Sequence, residues 1–363
     1  MSPQALSDRH SAILLEVIRL VLSSHQPVSG RTLAKVSDQG LSATSIRNIM
    51  EDLVDEGYLL SLGGGKGRVP SQAGLYYYVA ALGQEMARED QRPISRVWPG
   101  LEAQAPLGLE GLLDAVGAQL ARLTGWAVLA ALPPKDTYPF NWLRLSPVEG
   151  QRVMMTLETL FGDLWCKVVE VGNPMPLEVL LEVERFLCSQ YRGETLEQVR
   201  GHIMGGAGRS LLVQAPSMGG AFRLLRHAFA WADRPAMRHW GEANLFGAQA
   251  LQQPATLLCL HHALQDPMFL PQALAAAKPL PHQGQVAIGT DLACAGLENC
   301  AMLSMGFGPG TGWQGLLAVL GPRELDYGQV YQLLSEATRL LGRRMRELLS
   351  QNPISTPLLE ERS

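Results

Sequence analysis

The first third of the chain carries three runs in which apolar residues recur every three or four positions. Ile13, Leu14, Val17, Ile18 and Val21 share one helical face behind Ser7, and the run stops before Gln26-Pro27. A shorter run over residues 28–37 reads as a helix capped by Ser29, with Asp38-Gln39-Gly40 as the turn that follows. In the third run Ile46, Ile49, Met50 and Leu53 face inward and Thr44, Ser45, Arg47, Asn48 and Glu51 face out. Ser42 is its predicted N-cap and Gly57 its left-handed stop. The period then changes to that of strands. Residues 58–62 and 68–70 read as a hairpin around Gly63-Gly64-Gly65-Lys66-Gly67, and Ser71 as the cap of a helix that carries Tyr76, Tyr77 and Tyr78 as packing groups. Helix, short helix, glycine turn, polar-faced helix and hairpin is the order of a winged helix-turn-helix.

Residues 85–107 hold Pro93, Pro99 and Pro106 without a sustained period and are expected to form a linker. A helix over 112–123 and strands over 126–132, 142–147, 151–158 and 164–170 then predict an α+β sheet domain. From Pro174 the pattern is helical, over 177–191, 196–204 and 221–232, with breaks at residues 205–208 and 219–220. A helical block inside a sheet domain predicts an insertion. A helix over 255–264 and strands over 286–289, 301–307 and 313–320 follow, and these strands are expected to join the earlier sheet. Pro322 and Glu324 read as the start of a last helix to about residue 349. Arg339, Arg343, Arg344 and Arg346 suit its negative C-terminal pole.

A length of 363 residues favours two or three domains. The net charge of -4 does not mark a nucleic-acid protein, and over residues 1–78 seven basic side chains are balanced by seven acidic ones. Any DNA affinity must therefore come from where the cations sit. Five cysteines, odd in number and widely spread, suit a reducing cytosol. No secretory pattern opens the chain, and no apolar run reaches the roughly 20 residues that span a bilayer. The expectation is a soluble, cytoplasmic protein without a membrane partner.

Short polar side chains on the third helix suit base edges and phosphate oxygens in a major groove. The candidate DNA-binding residues are Arg31, Ser42, Thr44, Ser45, Arg47, Asn48, Lys66 and Arg68, with Arg47 the leading ligand and Lys66 and Arg68 the wing cations. The competing reading is an ordinary solvated face. The rival class is an enzyme or an interaction scaffold. His261-His262, His282 and Cys259 lack metal-ligand spacing, Cys294 and Cys300 mark no redox pair, and neither a GxSxG nor a phosphate-loop pattern occurs. No catalytic residue, metal or cofactor is assigned. Gly306, Gly308, Gly310 and Gly312 read as a long hairpin connection rather than the mouth of a pocket.

Gly40-Leu41-Ser42-Ala43-Thr44-Ser45-Ile46-Arg47-Asn48, with Met50, Asp52-Leu53, Gly57-Tyr58-Leu59 and Gly67-Arg68-Val69-Pro70-Ser71, resembles the winged-helix domain of the HrcA family of heat-inducible transcription repressors. So do residues 27–34, and later Gly241-Glu242-Ala243-Asn244-Leu245-Phe246 and residues 321–327. The family's usual wing carries His-Thr-Ser-Ala before its Gly-Arg; this chain has Gly63-Gly64-Gly65-Lys66. The resemblance implies a multidomain α+β chain. Its parts would be a winged-helix domain (1–84), a linker (85–107), a GAF-like domain in two parts (108–175 and 241–350), an inserted helical dimerisation domain (176–240) and a tail (351–363). It further implies a homodimer on double-stranded DNA at the inverted-repeat CIRCE operator of chaperone genes, kept competent by the chaperonin GroEL. The alternative is a winged-helix regulator whose GAF-like domain binds a small effector.

Overall fold

The first helix, α1 (Asp8–Ser24), starts where Ser7 accepts the His10 amide at 3.2 Å and ends at His25, which takes φ 53° ahead of Pro27. The computed structural model describes residues 6–37, 39–63, 66–88, 98, 108–149, 151–171, 175–205, 237–248, 251–281, 284–310 and 314–351. Ser29 caps α2 at the Thr32 amide, 3.1 Å away, but α2 is one turn, Gly30–Leu33, and not the longer helix its sequence predicts. Leu33 is its one anchor in the core, and Val36 points to solvent. A turn with one buried side chain cannot hold further turns against their ordering entropy.

Helix α3 (Ala43–Asp55) has the expected ends: Ser42 accepts the Ser45 amide at 3.1 Å, and Gly57 takes φ 82°. Ile46, Ile49, Met50 and Leu53 are buried against α1, each contributing roughly 1.5–3 kcal/mol before entropy is counted. Strands β1 (Leu59–Ser61) and β2 (Arg68–Pro70) pair antiparallel, Leu60 opposite Val69. Val28 extends the pair: its amide donates to the Arg68 carbonyl at 3.0 Å and the Arg68 amide returns a bond at 2.8 Å. Helix α4 (Gln72–Arg88) follows Ser71, whose hydroxyl donates to the Gly57 carbonyl at 2.6 Å and accepts the Gly74 amide. Residues 85–88, expected in the linker, are its last turn. A Cβ at Gly74 would lie 2.2 Å from the Tyr58 carbonyl oxygen. Gly74→Ala is therefore expected to destabilise the hairpin–α4 junction by about 1–3 kcal/mol, read by urea denaturation.

Among the described residues the larger sheet has six strands, ordered β7-β3-β11-β10-β9-β8 and antiparallel throughout: β3 (Ala127–Ala131), β7 (Met237–Trp240), β8 (Lys278–Leu280), β9 (Gly284–Ile288), β10 (Cys300–Phe307) and β11 (Gly315–Pro322). Alternation splits its two faces. Val128, Ala130, Leu303 and Val319 pack with α5 (Leu109–Thr124) and α11 (Tyr327–Gln351). Ala127, Leu129, Met302 and Leu320 share a second core with α9 (Pro254–Gln265) and α10 (Phe269–Ala276), the latter without a counterpart in the sequence reading. Helix α8 (Glu242–Gly247) adds Leu245 to that core.

Strands β4 (Phe140–Val148), β5 (Arg152–Thr159) and β6 (Leu164–Glu170) lie where expected but form a sheet of their own. Helix α6 (Leu177–Tyr191) covers it, and α7 (Leu196–Met204) follows with a capping box between Thr195 and Gln198. The late strands thus join β3 alone. Met237–Trp240, placed by the sequence pattern at the end of the helical block, is a strand paired with β3. The helix expected over 221–232 lies outside the described residues. At the last helix Pro322 still belongs to β11, opposite Cys300, and the cap is Asp326, which accepts the Gln329 amide at 3.0 Å. Pro322 fits a strand end because its ring needs no amide partner there. Trp98, in the stretch expected to be a linker, is buried and donates to Glu336 of α11 at 2.9 Å.

Candidate nucleic-acid interface

Along α3 the exposed row runs Thr44, Ser45, Arg47, Asn48 and Glu51, on the face away from the core. Not all of it is free to read a ligand. Ser42 and Ser45 hold each other through a 2.9 Å hydroxyl contact and the cap bond, so these two side chains build the helix start. Thr44, Arg47 and Asn48 stand beyond that pair. Arg31 is exposed on α2, which approaches α3 so closely that a Cβ on Gly30 would meet the Arg47 Cβ at 3.1 Å. That close approach sets the angle between the two helices.

In the hairpin Lys66 is exposed at the tip, its amide bonded to the Gly63 carbonyl at 3.1 Å, with Gly63 and Gly67 at φ 71° and 99°. A Cβ at Gly67 would sit 2.9 Å from the Val28 carbonyl, so the end of the turn needs glycine there. Arg68 is different from Lys66. Its side chain is 15% exposed, and its Nη2 donates to Glu51 Oε1 at 3.2 Å. The same oxygen takes the Arg47 Nε at 3.1 Å. One carboxylate therefore bridges α3 and the hairpin, and Arg68, opposite Ser61, sits in the last ladder pair before the turn and not on the loop itself. The Arg47/Glu51 half of this bridge is legible as an i,i+4 pair; the Arg68 half joins residues brought together by the turn at Gly57.

The Arg47–Glu51 pair is exposed on both sides and contributes little to stability, typically 0–1 kcal/mol, and Glu51→Gln would keep an oxygen acceptor for the more buried Arg68. Against a duplex the effect of the two pairs would be larger, because Glu51 would compete with a phosphate for both cations. Glu51→Gln is expected to leave the melting temperature nearly unchanged and to tighten binding to random duplex DNA a few-fold, read by fluorescence anisotropy at fixed salt.

Away from this face, His261 and His262 stand edge to face, their ring centroids 6.0 Å apart. No group of three or more His, Cys, Asp or Glu suited to a metal ion occurs among the described residues. Nor is any described helix long and apolar enough to cross a membrane.

Residues 110–331 match the family model described as the HrcA protein C terminal domain. The chain belongs to the HrcA family. It is similar to the heat-inducible transcription repressor HrcA of Desulforudis audaxviator, 26% identical over 345 residues that cover 94% of this chain and 99% of that one. The HrcA repressor of Xanthomonas campestris pv. campestris is 24% identical over 340 residues, 94% of this chain and 96% of the relative. A solved crystal structure, described as that of a hypothetical protein, superposes with a TM-score of 0.64 at 22% identity, covering 95% of this chain and 100% of its own, which shows a shared fold. The family model starts within α5; the curated HrcA relatives extend the match to 94% of the chain.

Proposed function

We propose that this chain is a transcription repressor that binds DNA sequence-specifically as a homodimer, through an N-terminal winged helix on a GAF-like body. The observation that carries the reading is α3: a helix capped at Ser42, buried on one side and presenting Thr44, Arg47 and Asn48 on the other, next to a hairpin tipped by Lys66. Such a helix enters a major groove with its N-terminal residues towards the bases. The names of the relatives, heat-inducible transcription repressors, support the regulatory role.

The dimer follows from reach and from surface. One short helix reads few base pairs, and an inverted repeat lets two copies add their contacts. The outer face of the β4–β5–β6 sheet exposes Met154, Leu164 and Val168, an apolar strip that a second copy would cover. In this reading residues 132–236 form the inserted dimerisation unit, and residues 108–131 with 237–350 the body. The family resemblance supplies the CIRCE operator and GroEL as the partner that holds the repressor competent.

The test is titration of a labelled inverted-repeat duplex with the purified chain. A two-protomer complex that survives scrambled competitor, with more active repressor when GroEL is added, is the expected result. Equal affinity for repeat and scrambled duplex would refute sequence-specific repression.

A further inference from the structure

The N-terminal head is fastened to the body along one side of α4. Gln72 Nε2 donates to the Ile288 carbonyl at 2.7 Å, and the Ile288 amide donates to the Tyr76 hydroxyl at 3.0 Å. Tyr76 also donates to Asp291, and the Lys278 ammonium lies 3.5 Å from its ring centroid. On the other side, past Leu75, head and body part to leave a cleft of about 730 Å³. A hinge of polar bonds on one side and an open wedge on the other is the geometry in which a filler fixes an angle.

The cleft has the size and lining of a small-molecule site, within the usual 300–1,000 Å³ and mostly apolar with few polar groups. Leu22, Leu60 and Val69 form its head wall, so the wing strands themselves line it. Trp126 and Ala248 line the body side. The Trp126 ring is pressed on the backbone of β11, since a Cβ on Gly321 would lie 3.0 Å from it, and the indole is a fixed wall. Leu60, in the middle of β1, is half exposed, an apolar side chain on the wall of the cleft. The charged groups are Arg323 and Glu324, with His25 at the end of α1. Arg323 is held by its backbone, whose amide donates to the Asn299 carbonyl at 2.9 Å.

We propose that this cleft is an effector site for a small organic monoacid with an apolar body, its carboxylate on Arg323 and His25. Glu324 disfavours a second negative charge, which argues for one acid group and against a phosphate ester. Because the ligand touches the wing strands and the body at once, it stabilises the one head angle that closes on it and shifts the head's population towards that angle. The binding site stands on the cleft alone; its coupling to operator affinity rests on the DNA-binding reading above.

The experiment uses the full chain and two probes, octanoate and octanol, in titration calorimetry. Saturable binding of octanoate at one site per protomer, about tenfold tighter than octanol, is expected, because a charge-assisted contact to Arg323 is worth about that factor. Arg323→Gln should remove that preference, and Leu60→Glu, at a half-exposed position that spares the fold, should weaken octanoate about tenfold or more. Ala248→Trp, which fills the body side of the cleft, should abolish binding of both probes. No saturable binding, or binding that Leu60→Glu and Ala248→Trp leave unchanged, overturns the site; equal affinity for acid and alcohol overturns the acid. Octanoate binding with unchanged operator affinity overturns the coupling and leaves both the site and the repressor reading standing.

Discussion

Arg47→Ala is expected to abolish specific operator binding while leaving weak, salt-sensitive binding to any duplex. Arg47 is two-thirds exposed on the outer face of α3, and its Nε is the nitrogen engaged with Glu51. The planar guanidinium keeps further donors in the fork that suits guanine O6 and N7 or a phosphate. Each such contact discriminates by about 1–3 kcal/mol, and a two-fold complex loses it twice, about 2–6 kcal/mol. Lys66→Ala provides the contrast. An exposed ammonium at a glycine-rich tip meets backbone phosphate as a point charge, so its loss weakens all sequences alike and lowers the salt slope by about 1 per protomer. Gel shifts on operator and scrambled duplex over a salt series separate the two; Arg47→Ala holding the operator as tightly as wild type would remove Arg47 from the groove.

The second large effect concerns stability and Asp163, in the turn between β5 and β6. Its carboxyl is 5% exposed, accepts the Glu110 amide at 2.8 Å through Oδ1, and buries Oδ2. Burial pushes its pKa up from 3.8 to about 7; the Glu110 amide, Arg238 and Lys135 pull the other way, and the Glu110 charge adds to the rise. The folded state therefore keeps a proton that the unfolded chain releases near 3.8. Stability is greatest below that value, falls as pH rises towards about 7, and is level above. The whole interval corresponds to about 4 kcal/mol at 1.36 kcal/mol per pH unit. Asp163→Asn keeps an oxygen acceptor for the Glu110 amide without the charge. It should be more stable than wild type by about 2–4 kcal/mol near pH 8, with little difference near pH 4. Urea denaturation at both pH values checks it, and a variant less stable at both would show that the carboxylate is satisfied in the fold.

Local signals in the sequence translated well wherever one residue decides the outcome. Ser7, Ser29 and Ser42 all cap, and Gly57 takes the left-handed turn, because the orphan amides and the positive φ are properties of a few adjacent residues. The family itself was legible in residues 27–71 and 321–327. What the pattern could not give is which elements share a layer. Strands β3 and β4 follow one another in the chain, and only long-range pairing sends β3 to β11 and β4 to β5. The four-residue β7 is too short to register against the helical runs before it. At the candidate interface the exposed row of α3 was readable from its period, but the burial of Arg68 was not. It depends on Glu51, seventeen positions earlier, meeting the start of β2.

The pairing of β3 with β7 has a consequence for how this chain is put together. Ala131 and Met237 are opposite partners in an antiparallel ladder, so everything between them leaves and re-enters the body at one point. To the six-stranded sheet that whole stretch is equivalent to a hairpin turn, and a two-residue turn would close the same ladder. What ties the stretch to the body elsewhere includes the start of α5, where the Leu109 amide meets the Phe161 carbonyl at 3.0 Å and the Glu110 amide meets Asp163. A shortened chain joined from Ala131 to Met237, with its own cap supplied at residue 108, would be a head and body without the proposed pairing surface. In such a chain half-site recognition and two-fold assembly become separable properties.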